Sequence, residues 1–327
     1  MDGLHVKDNT NELHVCNQEE ITGLEEESLE CNFQQEVIEY NQEEEPVNQP
    51  EVPTVSLKTQ VESSSKWVLG ISLLGRSHKE KEIPCQDFHI YEDLGDGWNV
   101  FIISDGAGSA RESHRGSRMT CNLMVRAIRK LLEKSQWKLQ QDLPSDIDWY
   151  IEFSNICRGI KGMIEEQIET LDEPVSSKDF NATIQVLIVS PNGMLVGHIG
   201  DGRMGFQDND GIWHSLIIPH KGEEANSTVF LMNRWDKPRI PAAKMSGVHI
   251  PETRVVNSIP AKVVLMTDGC ENFSWKCVAY NEEKGQYLDR NEPFESFLNP
   301  LFEKLDYLTG EEKLEKYSSL LNSANDA

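Results

Sequence analysis

Val100-Phe101-Ile102-Ile103-Ser104-Asp105-Gly106-Ala107-Gly108-Ser109 is an apolar run that stops at an aspartate and continues in small residues only. It reads as a buried strand that delivers a carboxylate to a site: Gly106 and Gly108 let the backbone come close to a ligand, and Asp105 supplies a hard oxygen donor. An Asp-Gly pair alone is usually a turn, and the chain has six, with the aspartate at 2, 96, 105, 201, 210 and 268. Asp96-Gly97 and Asp210-Gly211 lie in polar surroundings between short runs and read as hairpin turns. Three others differ, because Asp105, Asp201 and Asp268 each terminate a strand-like apolar run, over 100–104, 194–200 and 263–267. Three such endings predict carboxylates converging on one pole of a β-structure.

Working outward, the first 65 residues carry 16 Asp and Glu against 2 Lys, a net charge of −14 out of the chain's −24, with Glu25-Glu26-Glu27 and Glu43-Glu44-Glu45 among them. A segment this acidic and this poor in aromatic residues buries too little to offset its ordering entropy, so residues 1–65 are expected to be disordered and 66–327 to form the folded domain. The acidity argues against nucleic acid as a partner. Near Met1 there is no basic region followed by an apolar core, and no stretch reaches the length of a membrane span, so a soluble, cytoplasmic protein without a membrane partner is expected. Seven cysteines, with no Cys-x-x-Cys pair, argue for reduced thiols rather than a disulfide framework or a zinc ribbon.

From Trp67 the pattern becomes that of a packed domain. Strands are predicted over 67–74, 87–91 and 98–104, separated by polar turns. Helices follow, marked by Met119, Leu123, Ala127, Ile128 and Leu131, and then by Ile156, Ile160, Ile164, Ile168 and Leu171, at helical spacing. Residues 182–189, 194–199 and 212–218 read as an antiparallel meander, 254–258 and 263–267 as two more strands, and 292–323 as helix again. Trp213, Trp235 and Trp275 are assigned to packing. This order implies an α+β fold of antiparallel sheets covered by helices.

Gln86-Asp87, Ser104-Asp105-Gly106-Ala107-Gly108, Asn181-Ala182-Thr183, Gly200-Asp201-Gly202-Arg203 and Thr267-Asp268-Gly269 stand in the order found in PPM-type metal-dependent serine/threonine phosphatases, protein phosphatase 2C, which the chain resembles from about Gly70 to Phe273. The resemblance implies two packed antiparallel β-sheets flanked by helical layers, a four-layer α-β-β-α sandwich. It also implies a site holding two Mn²⁺ or Mg²⁺ ions, with a third, weaker one. Asp105 would bridge the ions, the Gly106 carbonyl would help hold one, Asp268 would hold the other, and Asp87 would act beside them. The implied reaction is hydrolysis of phosphoserine or phosphothreonine in a protein substrate by a water that the ions activate, with no protein nucleophile.

The chain departs from the family at several points. Gln86 stands where many members have glutamate, and Ala107 where many have a proton-donating histidine, leaving water, His78, His114 or His198 for that task. The usual phosphate-holding arginine falls on Glu82, so Arg76, His78, Lys79 or Lys81 would have to substitute, and Arg76 is the expected one because its fork suits a phosphate. The terminal acidic metal-binding pair corresponds at best to Asn325-Asp326, with its strand missing; Asp326 is then a candidate ligand. Asp201 is either a ligand of the extra ion or a turn cap paired with Arg203. His220-Lys221-Gly222-Glu223 reads as a solvated polar loop. Two other functions stay open beside protein dephosphorylation: a catalytically weak module that binds phosphorylated partners, and a phosphoesterase for a small phosphate ester. The oligomeric state is not set by these features.

Overall fold

The computed structural model describes residues 55–58, 67–172, 174–220, 228–233, 250–277, 279–281 and 285–326. Strands β1 (Val55–Lys58) and β2 (Val68–Ile71) form an antiparallel pair and are followed by the short helix α1 (Arg76–Lys81). Next come β3 (Asp87–Gly95), β4 (Trp98–Asp105), and two long helices, α2 (Ser113–Ser135) and α3 (Asp146–Glu169). The remaining principal strands are β5 (Ile184–Ser190), β6 (Gly193–Ile199), β7 (Arg203–Gln207), β8 (Trp213–Ser215), β9 (Glu252–Val256) and β10 (Lys262–Met266). Helices α4 (Glu271–Ser274), α5 (Glu295–Asp306) and α6 (Gly310–Asp326) complete the helical part.

The two largest sheets among the described residues are antiparallel, one of five strands in the order β3-β4-β5-β6-β9 and one of three in the order β10-β7-β8. Their facing sides bury Leu187, Met194 and Val196 of the first against Met204 and Phe206 of the second, with Leu216 and Ile217 closing the cluster. Strand periodicity explains how β4 serves both of its faces. Val100, Ile102 and Ser104 are fully buried on one side, whereas Phe101 on the other packs into the cluster between the sheets. Asp105 belongs to the same odd-numbered row as Phe101, so its carboxylate leaves the strand end toward the second sheet.

Helices α2 and α3 cover the outer face of the five-stranded sheet. The Trp149 indole of α3 donates to the Val196 carbonyl at 2.7 Å, and the Arg118 guanidinium of α2 lies over the Phe88 ring at 5.1 Å. On the outer face of the three-stranded sheet, Leu298 of α5 packs with Trp213, Met266 and Trp275. These are the four layers expected, and of the tryptophans assigned to packing Trp213 and Trp275 are in the core; Trp235 lies outside the described residues.

Two expectations are corrected. Residues 182–218 do not form one meander: β5 pairs with β6, but the chain then leaves for the other sheet, where β7 pairs with β8 and β10. Helical character over 292–323 is divided between α5 and α6, because Tyr307 caps the first and the second starts only at Gly310. Within the segment read as disordered, Val55–Lys58 pairs with Val68–Ile71; the rest of 1–65 lies outside the described residues. None of the five described cysteines is in a disulfide, and no described helix is long and apolar enough to cross a membrane.

Candidate metal centre

Both sheets end in aspartates at the same pole. Asp87 opens β3 and Asp105 closes β4 directly opposite it, so strand pairing alone puts the two carboxylates on one face, side by side. In the second sheet Met266 of β10 pairs with Arg203 of β7. Asp201 precedes Arg203 by two residues and Asp268 follows Met266 by two, so both overhang the same end of that antiparallel pair. Asp201 lies where the chain crosses from β6 to β7. Gly200 makes that crossing possible with φ of 135°, and a Cβ there would come within 2.6 Å of the Thr183 side chain.

The turn after Asp105 is held by backbone bonds. Gly106 N donates to Gln86 O at 3.1 Å, Ala107 N to Asn181 O at 2.9 Å, and Thr183 N to Asp105 O at 2.8 Å. Thr183 Oγ1 in turn accepts from Asp105 N at 2.9 Å. A Cβ on Gly106 would meet Ser113 O at 2.6 Å, so only glycine lets this turn thread between β3 and the start of α2. The motif Asn181-Ala182-Thr183 therefore acts through its backbone and one hydroxyl.

The four carboxylates strain one another electrically. Burial, and then the charges of Asp87, Asp268 and Asp201, hold the Asp105 carboxyl well above the usual carboxylate range. Burial pushes Asp87 up to about 6; a hydrogen bond from the Thr267 hydroxyl opposes this and the Asp268 charge adds to it. Asp201 is raised by burial and by Asp268 against a hydrogen bond from Thr228. Asp87 Oδ1, Gln86 Oε1 and Asn181 Oδ1 are buried without a hydrogen-bond partner. An all-oxygen, strongly negative cluster with an orphaned carboxylate oxygen fits the hard divalent ions Mn²⁺ and Mg²⁺.

Strand pairing does not by itself fix the position of the other predicted residues. Arg76 is exposed and pairs with Glu80 at 3.2 Å on its own helix, α1, which also carries His78. Asp326 is the last residue of α6, in helical backbone rather than at the start of a strand, and its side chain lies outside those described. The Asp201–Arg203 pair is corrected: Arg203 is fully buried and bonds Glu271 at 2.8 Å and Asp289 at 2.6 Å. His220 is not a solvated loop residue, since it is 1% exposed; Lys221, Gly222 and Glu223 lie outside the described residues.

Sequence reasoning missed a second polar group. His198 and His220 stack at 4.2 Å beside Glu252, with both imidazoles fully buried. Burial holds His198 well below the ordinary imidazole range and pushes His220 down to about 4. Because the unfolded imidazoles take up protons near pH 6.5 and the folded ones resist, these residues stabilise the fold above that pH and lose the contribution as pH falls toward about 4. His220→Gln is therefore expected to flatten the pH dependence of stability between pH 6.5 and 4. Urea unfolding of both proteins across that window checks it, and parallel curves would show that His220 is not the group titrating.

A family model described as protein phosphatase 2C matches residues 74–317. Serine/threonine-protein phosphatase 3 of Escherichia coli (strain K12) is 26% identical over 246 residues, which cover 74% of this chain and 83% of that protein. Among solved structures, serine/threonine phosphatase Stp1 from Staphylococcus aureus is 11% identical with a TM-score of 0.41, covering 74% of this chain and 84% of its own. Serine-threonine phosphatase 2C from Toxoplasma gondii is 14% identical with a TM-score of 0.37, covering 57% of this chain and 74% of its own.

Proposed function

The chain belongs to the protein phosphatase 2C family, and on that premise we propose that it hydrolyses phosphoserine and phosphothreonine in protein substrates with the help of two Mn²⁺ or Mg²⁺ ions. The observation that carries the reading is the convergence of Asp87, Asp105, Asp201 and Asp268, from the ends of two sheets, around Asp105. Asp105 would be shared between the ions, with the Gly106 carbonyl and Asp87 on one side and Asp268 on the other; Asp201 would serve a third, weaker ion. When bound, the ions supply an activated water and positive charge for the phosphoryl oxygens.

The chain's own residues position and shield. Gln86 donates its amide N–H to Ser113 Oγ at 2.6 Å, which ties the start of β3 to the first residue of α2 and leaves Oε1 as a buried acceptor without a hydrogen-bond partner. Thr183 and Asn181 hold the Asp105 turn so that the carboxylate meets its partners without rearranging. Arg76 is the phosphate-holding candidate, because its exposed pair with Glu80 is weak and opens at little cost. Gln86 and Ala107 lower charge and remove a proton donor where many members carry both, which favours slow turnover as the second reading.

Phosphate release from a phosphothreonine peptide, with manganese and with chelator, tests the proposal. Release that requires manganese and exceeds that from a simple aryl phosphate supports it. Manganese-dependent release from the aryl phosphate alone would favour the small-ester function, and binding of the peptide without turnover would favour the phosphopeptide-binding module.

A further inference from the structure

We propose that His198, His220 and Glu252 form a second metal site, separate from the aspartate centre and suited to a transition-metal cation of the zinc class. The fold assembles it from three places. His198 on β6 stands directly opposite Glu252 on β9, so their side chains share a face. His220 follows β8 and is fixed by its own backbone, whose N–H donates to Gly200 O at 2.7 Å. The three donor atoms all lie within 4.8 Å of one another, with His198 Nδ1 at 3.6 Å and His220 Nε2 at 3.9 Å from Glu252 Oε2. Ligand atoms bonded tetrahedrally to zinc are roughly 3.3 Å apart, so small side-chain movements close the shell.

The hydrogen bonds show why this group wants a cation. His198 Nε2 lies 3.0 Å from the Ile218 carbonyl, which only accepts, so the ring proton sits on Nε2 and Nδ1 turns a lone pair toward a carboxylate. Two acceptors then face each other in a buried place, and Nδ1 has no other partner. An imidazole whose outer N–H is held by a backbone carbonyl is also the arrangement that orients metal-binding histidines. Glu252 is held in the same way: Oε2 accepts from Ile218 N at 3.0 Å and Oε1 from Arg254 at 3.4 Å. Two imidazoles and one carboxylate suit Zn²⁺, Co²⁺ or Ni²⁺ better than the oxygen-loving ions of the aspartate centre.

His220 gives the site a signature. Its Nδ1 accepts from Gly200 N at 3.2 Å, which places the ring proton on Nε2, the nitrogen that has to bind the ion. Metal binding therefore moves that proton to Nδ1 and breaks the Gly200 bond, and the tautomer of one histidine changes while that of His198 stays.

The test is a Co²⁺ titration of the full chain in excess Mg²⁺, which fills the oxygen-donor centre. One Co²⁺ per chain with the intense visible absorption of four-coordinate cobalt is expected, displaced by Zn²⁺, with Glu252→Gln and His220→Gln each weakening it at least ten-fold. Absence of that absorption, or wild-type affinity in either variant, overturns the site. Should the variants not fold, ¹⁵N spectra of the wild-type imidazoles decide: a Zn²⁺-induced tautomer switch at His220 supports the proposal, and unchanged His198 and His220 signals overturn it.

Discussion

Asp105→Asn is expected to lower manganese-dependent phosphate release about a thousand-fold, equivalent to about 4 kcal/mol of transition-state stabilisation. Asp105 is the residue whose carboxyl feels Asp87, Asp268 and Asp201 together, so it is the one place where a single charge can be shared between ions. The fold should not suffer. With its folded pKa raised above the unfolded value, the Asp105 carboxyl contributes stability only in acid and costs stability once pH rises and it has to ionise beside three other acids. Asparagine removes that cost, so in chelator at neutral pH the melting temperature should rise by about 3 °C, the worth of about 1 kcal/mol in a domain of this size. Steady-state turnover and thermal melts check the two halves separately. Wild-type turnover in the variant would remove Asp105 from the mechanism, and a lower melting temperature in chelator would mean that the carboxylates attract rather than repel.

Arg203→Ala should cost about 2 to 3 kcal/mol of folding free energy, because it empties a fully buried site and removes the counter-charge of Glu271 and Asp289, whose side chains are 19% and 27% exposed. The guanidinium is fully enclosed and uses all of its nitrogens: Nε bonds Glu271 at 2.8 Å, Nη2 bonds Asp289 at 2.6 Å, and Nη1 bonds Asn291 at 2.9 Å. Burial alone would lower its pKa, yet Asp289 and Glu271 outweigh that and raise it. Asn291 extends the network by accepting from Trp275 Nε1 at 3.1 Å, and its own amide donates to Ile217 O at 2.6 Å. Arg203 lies two residues after Asp201, and Glu271 three after Asp268, so the pair also clasps the two turns that bring acids from the second sheet. Manganese affinity is expected to fall with stability. Arg203→Lys should recover part of the stability, since a lysine restores the charge without the planar fork. Urea unfolding measures the effect, and a loss below about 1 kcal/mol would show that the acids find solvent once the arginine is gone.

The strand ends at Asp105 and Asp268 were legible because a short apolar run followed by Asp-Gly is a local pattern, complete within ten residues. The same holds for α2 and α3, whose buried Leu123, Ala127, Ile128, Ile160 and Ile164 were readable from helical spacing. Family membership was legible from five short motifs in order. Lengths of elements were less so: β3 runs on to Gly95, four residues past its predicted end, because its partner β4 offers hydrogen bonds to Asp93 and beyond. Such extension depends on a neighbour and has no local signature.

The residues alone established that carboxylates end three apolar runs, that helices alternate with antiparallel strands, and that the metal chemistry rests on hard oxygen donors. Whether those carboxylates meet was a matter of register between strands far apart in the chain: Asp87 against Asp105 in one sheet, Met266 against Arg203 in the other. The partner of Arg203 was likewise open to any nearby acid until packing buried it beside Glu271 and Asp289 rather than Asp201. His198, His220 and Glu252 span 55 residues, and although His198 sits inside the apolar run 194–200, no pattern along the chain shows that the other two meet it. They become a site because β6 pairs with β9 and a backbone bond to Gly200 draws His220 inward, and burial then sets their proton affinities. Pattern along a chain encodes what each element buries; distance between elements is fixed by pairing and packing, and the chemistry of a site is a function of distance.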